Sequence, residues 1–289
     1  MKNLTRNLFL RISFFVLLMV GLSFDESMAS KRNIIAFCGS ASKPAMEEAA
    51  AQFEQETGID VNLHFSGSGT MLSLMKMARR GDLYIPGSPD YMSKAIREGV
   101  VDPESVAIIA YLILAIDVPR GNPKNIHTLA DLARPGIRIG IGNPEAVCVG
   151  LYAVEVLERN GLLKEVQNNI VTHAPSCSAT ASLVAMQKVD AVIGWRVFPQ
   201  WNPDKIDAVL LKPHEAPRLG YIPAAISTFS QDKKSAQRFI NFLISPEGQQ
   251  IFAKWGYIAT EKEAQSFAPQ AEIGGEYRLP MDYSHPVRK

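Results

Sequence analysis

The chain has 289 residues, with 30 Lys+Arg against 29 Asp+Glu and only three cysteines. That balance argues against nucleic acid or an anionic membrane as the main partner, since both select a basic excess. The length can bury a large core, in one large domain or two smaller ones, without disulfide staples.

Lys2, Arg6 and Arg11 precede the apolar run Ile12 to Phe24, and Ser27-Met28-Ala29 supplies small residues at cleavage positions. Residues 1–29 therefore read as an export signal, with the mature chain starting at Ser30. The apolar run falls short of the ~20 residues a helix needs to cross a bilayer, and no later segment is long and uncharged enough. The first cysteine, Cys38, lies well beyond the expected cut, so no lipid anchor is indicated. The expectation is an exported periplasmic protein, not itself membrane-spanning. Removing the signal takes away three basic and two acidic residues and leaves the mature chain neutral.

After Ser30, strands and helices alternate. Asn33 to Phe37 is a short apolar run, and Pro44 to Gln55 carries Met46, Ala50 and Phe53 at helical spacing. A second strand, Ile59 to Phe65, runs into Phe65-Ser66-Gly67-Ser68-Gly69-Thr70, ahead of a helix from Met71 to Arg79. The two glycines let backbone approach a ligand, Ser68 and Thr70 add hydroxyls, and free N–H groups of the helix point at the same spot. An ordinary capped turn fits the segment equally, because Ser and Thr are preferred caps. Asp82 to Ile85 is a third strand, closed by Pro86-Gly87 and followed by a helix from Tyr91 to Glu98. Such an order implies a mostly parallel sheet with helices on both faces.

The apolar stretch Ala107 to Val118 is too long for one typical strand and suits a segment that leaves one domain and enters another. Thr128 to Asp131 resembles a helix start. Gly136 to Gly142 is a strand ending at Asn143-Pro144, followed by a helix at Gly150 to Arg159, a strand at Asn169 to His173, a helix at Thr180 to Lys188 and a strand at Ala191 to Trp195. Leu219 to Ser227 reads as the second crossing, with helices at Lys233 to Leu243 and Pro246 to Trp255 behind it. Glu261 to Lys289 is polar and reads as a loosely held tail. Two crossings divide the mature chain into lobe 1, residues 30–112 plus 222–289, and lobe 2, residues 113–221. Ligands of such α/β proteins bind between the lobes, at loops after the carboxyl ends of strands.

Ile35-Ala36-Phe37, Ala45 to Glu48, Phe53 to Val61, the Phe65 to Thr70 cluster, Gly81 to Ile85, Gly142 to Glu145 and Ser245 to Gln249 together resemble the periplasmic molybdate-binding proteins of ABC importers, the ModA-like group. The resemblance spans about residues 33–258. It implies a two-lobed α/β fold of the type II solute-binding class, each lobe a mostly parallel sheet flanked by helices, closing over an oxyanion such as molybdate or tungstate. It further implies a binding protein, not an enzyme, that works as a monomer with an inner-membrane permease and needs no cofactor or metal. In that group hydroxyls and backbone N–H groups hold the oxyanion. The resemblance places this role on Ser68 with Gly69, and on the backbone N–H groups of Val149, beside Cys148, and of Ala179. The serine expected after the first strand falls at Ala41, with Ser40 or Ser42 able to substitute by a one-residue shift. A tyrosine donor of the family falls near Val197, with Trp195 and Arg196 beside it.

Cys38, Cys148 and Cys177 all follow predicted strands and precede predicted helices. Three readings fit them: a disulfide between Cys148 and Cys177, inert buried side chains, or three soft ligands for a thiophilic species such as arsenite. The last would make the protein a sensor accessory whose membrane partner is a histidine kinase. Arg196 is either a charged contact to the anion or a solvated rim residue. Trp195 and Trp201 either wall the cleft or pack in the core, and His64 and His173 lack a companion at metal-ligand spacing.

Overall fold

The protein's structure, a computed structural model, describes residues 32–281 and 283; the expected export signal lies outside them. Strand β1 (Asn33–Gly39) leads through a 3-10 turn at Ser40–Ser42 into helix α1 (Lys43–Thr57). Pro44 sits in its first turn, where no N–H is needed, and Gly58 ends it at a φ of 68°, a conformation natural to glycine. Strand β2 (Asp60–Ser66), helix α2 (Ser68–Ala78), strand β3 (Leu83–Ile85), helix α3 (Pro89–Arg97) and strand β4 (Ala107–Leu112) follow.

Ile113 alone separates β4 from β5 (Leu114–Pro119), and the two strands join different sheets. The long apolar stretch is thus a crossing. A 3-10 turn at Leu129–Ala133, capped by Thr128 and Asp131, stands where a helix start was expected. The second lobe continues with strand β6 (Ile139–Gly142), helices α4 (Cys148–Arg159) and α5 (Leu163–Gln167), strand β7 (Ile170–Ala174), helix α6 (Cys177–Ala185), strand β8 (Ala191–Trp195), helix α7 (Phe198–Trp201) and strand β9 (Ile206–Leu210). The chain then returns in strand β10 (Arg218–Ile226), helices α8 (Lys233–Leu243), α9 (Pro246–Lys254) and α10 (Glu261–Phe267), and strand β11 (Glu272–Ile273).

One sheet has the order β11-β10-β3-β1-β2, with β4 also on β10; the other has β7-β6-β8-β5-β9. Within them β1, β2 and β3 run parallel, as do β6, β7 and β8. The two-lobed α/β architecture is the one expected from the sequence, but the sheets are mixed rather than mostly parallel. β10 runs antiparallel to β3 and β4, and β5 antiparallel to β8 and β9, because the strands that cross between the lobes enter each sheet in the opposite sense. β10 already pairs with β4 at Gly220–Leu112, so the return to the first sheet starts at Arg218, ahead of the expected 221/222 boundary. The register shift between Ile222 and Pro223 accommodates a proline that has no N–H for the ladder.

Each sheet buries its strands beneath helices. In the first lobe Phe53 of α1 packs on Phe239 and Phe242 of α8, with ring centroids 5.0 and 5.6 Å apart. In the second, β5 and β8 are buried along their whole length, as strands covered on both faces must be. The described tail is not loose. Arg218 lies at the base of β10 and is 4% exposed, so its charge requires partners, and the tail supplies the carbonyls of Gly274 and Gly275 at 3.2 and 2.8 Å. No helix among the described residues is long and apolar enough to cross a membrane.

Candidate anion site between the lobes

β1, β2 and β3 end together at Gly39, Ser66 and Ile85, and β6, β7 and β8 end at Gly142, Ala174 and Trp195. Helices begin just beyond these ends. Ser68, Cys148 and Cys177 are the first residues of α2, α4 and α6 respectively. Each stands at a helix N-terminus, where unpaired N–H groups and the macrodipole favour an anion.

In the first lobe Ser40, Ser42 and Ser68 are buried. Ser68 Oγ accepts from Gly87 N–H at 3.0 Å, and its carbonyl accepts from Tyr84 Oη at 2.9 Å. Ser42 Oγ donates to the Gly39 carbonyl at 3.2 Å, and Tyr257 Oη donates to the Ala41 carbonyl at 2.5 Å. The lobes meet directly. Gly69 N–H donates to the Ala146 carbonyl at 2.9 Å, and Ser178 N–H donates to Ser40 Oγ at 3.1 Å. A methyl on Gly87 would lie 2.6 Å from Cys148 Sγ, so glycine is what lets the two lobes approach at this point.

Cys148 Sγ and Cys177 Sγ are buried and 3.4 Å apart, as free thiols well beyond the ~2.05 Å of a disulfide bond. Burial pushes the Cys148 thiol up, helped by its hydrogen bond with Cys177 and opposed by the Ser68 hydroxyl and Val149 N–H. Burial also opposes ionisation of Cys177, but the Cys148 thiol, Val149 N–H and the Trp195 indole outweigh it and hold Cys177 below the usual thiol range. Cys177 is the sulfur of the pair that more readily bears negative charge.

Of the three readings of the cysteines, the three-thiol cluster is not formed among the described residues. Cys38 shares the alternate face of β1 with buried Ile34 and Ala36, and burial alone pushes its thiol up. Among the described residues no group of three or more His, Cys, Asp or Glu is placed to hold a metal ion. Ala179 N–H is taken by the cap of its own helix, Ser176 Oγ, at 3.1 Å; the neighbouring Ser178 N–H faces the first lobe instead. Arg196 is drawn away from the cluster. Its Nη2 donates to the Gly256 carbonyl at 2.7 Å and its guanidinium lies over Phe267. Trp195 is buried edge-on to Tyr152, and Trp201 packs on Phe198.

Gly87, Ser178 and Ala146 were not among the expected site residues, although Pro86-Gly87 closes a strand whose carboxyl end points to the cleft. A further group carried no local signal. Arg218 of the first lobe bonds Glu155 of α4 at 2.7 and 2.9 Å and Asp90 of α3 at 3.1 Å, and its guanidinium stands 4.2 Å over Tyr152. Burial works against its charge, but Tyr152, Asp90 and Glu155 outweigh it and raise the Arg218 pKa. Tyr277 of the tail donates its N–H to Asp90 at 2.9 Å and its hydroxyl to Glu158 of α4 at 2.6 Å. The tail is therefore fastened to both lobes. Open depressions beside α10 and beside α5 share no residue with the cluster of Ser40, Ser68, Cys148 and Cys177.

A family model described as bacterial extracellular solute-binding protein matches residues 34–258. A relative from Haemophilus influenzae, a putative binding protein, is 27% identical, covering 77% of this chain and 89% of its own. The solved periplasmic molybdate-binding protein of Azotobacter vinelandii superposes with a TM-score of 0.70 at 21% identity, covering 79% of this chain and 100% of its own. The sulfate-binding protein SubI of Mycobacterium tuberculosis also gives 0.70, at 17% identity over 84% of this chain and 94% of its own. With a match across nearly all of both lobes, the chain belongs to the bacterial extracellular solute-binding protein family, whose members bind solutes and are not enzymes.

Proposed function

We propose that the protein is the periplasmic binding component of an ABC importer, capturing an oxyanion, molybdate or tungstate before others, and presenting it as a monomer to an inner-membrane permease. The observation that carries this reading is the convergence of the α2, α4 and α6 N-termini with the buried hydroxyls of Ser40, Ser42 and Ser68. Oriented dipoles of this kind replace the water stripped from an anion when lobes close, and they select by shape and donor count without a cation. The resemblance to molybdate- and sulfate-binding structures supports an oxyanion, and the ModA-like motifs favour molybdate or tungstate.

Calorimetry with molybdate, tungstate and sulfate, on wild type and Ser68→Ala, tests it. Molybdate and tungstate are expected to bind more tightly than sulfate. Ser68→Ala removes a hydrogen bond to a charged ligand, worth about 1.5–3 kcal/mol, and so weakens binding at least about tenfold. No heat with any of the three anions, or an affinity indifferent to Ser68, would overturn the reading.

A further inference from the structure

We propose that Cys148 and Cys177 form a dithiol that covalently captures a trivalent oxyacid of a heavy p-block element, such as arsenious acid, within the interlobe site. The proposal rests on the reading above only in taking that site as the place where ligand enters.

The separation of the sulfurs selects the chemistry. Element–thiolate bonds of ~2.3 Å meeting at roughly a right angle hold two sulfurs about 3.3 Å apart, whereas a linear two-thiolate ion needs about 4.6 Å. The observed 3.4 Å fits the bent, pyramidal case. A soft metal ion with a higher ligand demand finds no third thiolate, imidazole or carboxylate grouped with the pair among the described residues. The surroundings suit a nucleophilic sulfur, because Val149 N–H bears on both thiols. The buried Trp195 Nε1 stands beside Cys177. These groups stabilise the thiolate, which is the attacking form.

The reaction balances within the site. Two element–oxygen bonds break and two element–sulfur bonds form, while the two thiol protons leave with the two hydroxyls as two waters. No oxidation state changes, so no outside oxidant or reductant is required. The hydroxyl that stays on the captured element faces Ser68 and Gly87, whose atoms adjoin Cys148 from the opposite lobe. Both sulfurs are buried with the lobes together, so capture begins with the lobes apart and is completed as they close.

The test uses the full chain, reduced with a phosphine, desalted and mixed with sodium arsenite. Intact-mass spectrometry is expected to show one arsenic per chain, with free thiols under denaturing conditions falling from three to one. Cys38→Ala should keep the adduct. Cys148→Ser and Cys177→Ser should each lose it, because a single thiol holds arsenic too weakly to survive dilution, with alanine variants and circular dichroism guarding against misfolding. An adduct that survives either single substitution, three thiols still free with arsenite present, or a Cys148–Cys177 disulfide that the phosphine does not open would overturn the proposal. Molybdate calorimetry on the same samples separates the two readings: binding without an arsenic adduct removes only the dithiol, and an adduct without molybdate binding removes only the oxyanion importer.

Discussion

Replacing Gly67 by alanine perturbs lobe closure with little disturbance inside either lobe. Gly67 has φ −61° and ψ 144°, which alanine adopts freely, so the first lobe gains no backbone strain. The added methyl would instead meet the second lobe, 2.7 Å from the Ala146 carbonyl oxygen, 2.9 Å from that of Pro175 and 3.0 Å from a Val147 methyl. A carbon–oxygen contact relaxes at about 3.3 Å, so the lobes must part there by about 0.6 Å. Gly69 N–H to Ala146, now 2.9 Å, and Ser178 N–H to Ser40 Oγ, now 3.1 Å, then stretch to the edge of hydrogen bonding. At about 1 kcal/mol each, their loss disfavours the closed form by about 2 kcal/mol, or about thirtyfold in affinity for an oxyanion held by both lobes. Calorimetry with molybdate reads that ratio, and thermal unfolding without ligand should change little. Wild-type affinity in Gly67→Ala would refute the closed geometry as the binding form.

Asp117 is fully buried on β5, and neither carboxylate oxygen has a hydrogen-bond partner, so burial raises its pKa well above the usual range. The folded form then holds a proton that the unfolded chain releases above about pH 4, so stability is full below that pH and falls as pH rises toward the folded pKa. Asp117→Asn cannot ionise. Its advantage over wild type in urea unfolding should grow by about 1.4 kcal/mol per pH unit over that window, and parallel pH profiles would contradict the assignment. Arg218→Met leaves Asp90 and Glu155 buried without their cation and should cost about 3–5 kcal/mol in the same assay, whereas a loss below about 1 kcal/mol would mean the carboxylates find other partners. Tyr277→Phe removes the hydroxyl bond from the tail to Glu158 and should speed oxyanion release in stopped flow, with equal rates arguing that the tail does not restrain opening.

Alternation of apolar runs with amphipathic helices made both lobes legible, and the length of Ala107 to Val118 betrayed a change of sheet. The Ser68 cluster was legible as a strand-to-helix junction, while an anion nest and an ordinary capped turn fit its residues equally. What escaped was set by partners distant in sequence. Arg218 meets Glu155 and Asp90 across 63 and 128 residues, and no local pattern announces that a charge at the head of an apolar run will be buried. The same need for carbonyl and carboxylate partners ordered a polar tail that composition alone marked as loose. Cys38 and Cys177 looked equivalent as residues between strands and helices. Strand alternation sent Cys38 into the core, whereas Cys177 opens a helix at the cleft.

The single residue between β4 and β5 has a mechanical consequence. Ile113 joins strands that are each hydrogen-bonded into separate sheets, and its carbonyl is itself held by Arg196 N–H at 2.8 Å. A joint one residue long has almost no slack, and the second connection, between β9 and β10, prevents free swivelling about the first. Two tethers so placed favour a door-like swing about a line through both connections over a free twist. The distance from that line to Ser68 and Cys148 is the lever arm that turns a few degrees of backbone torsion into ångströms of aperture.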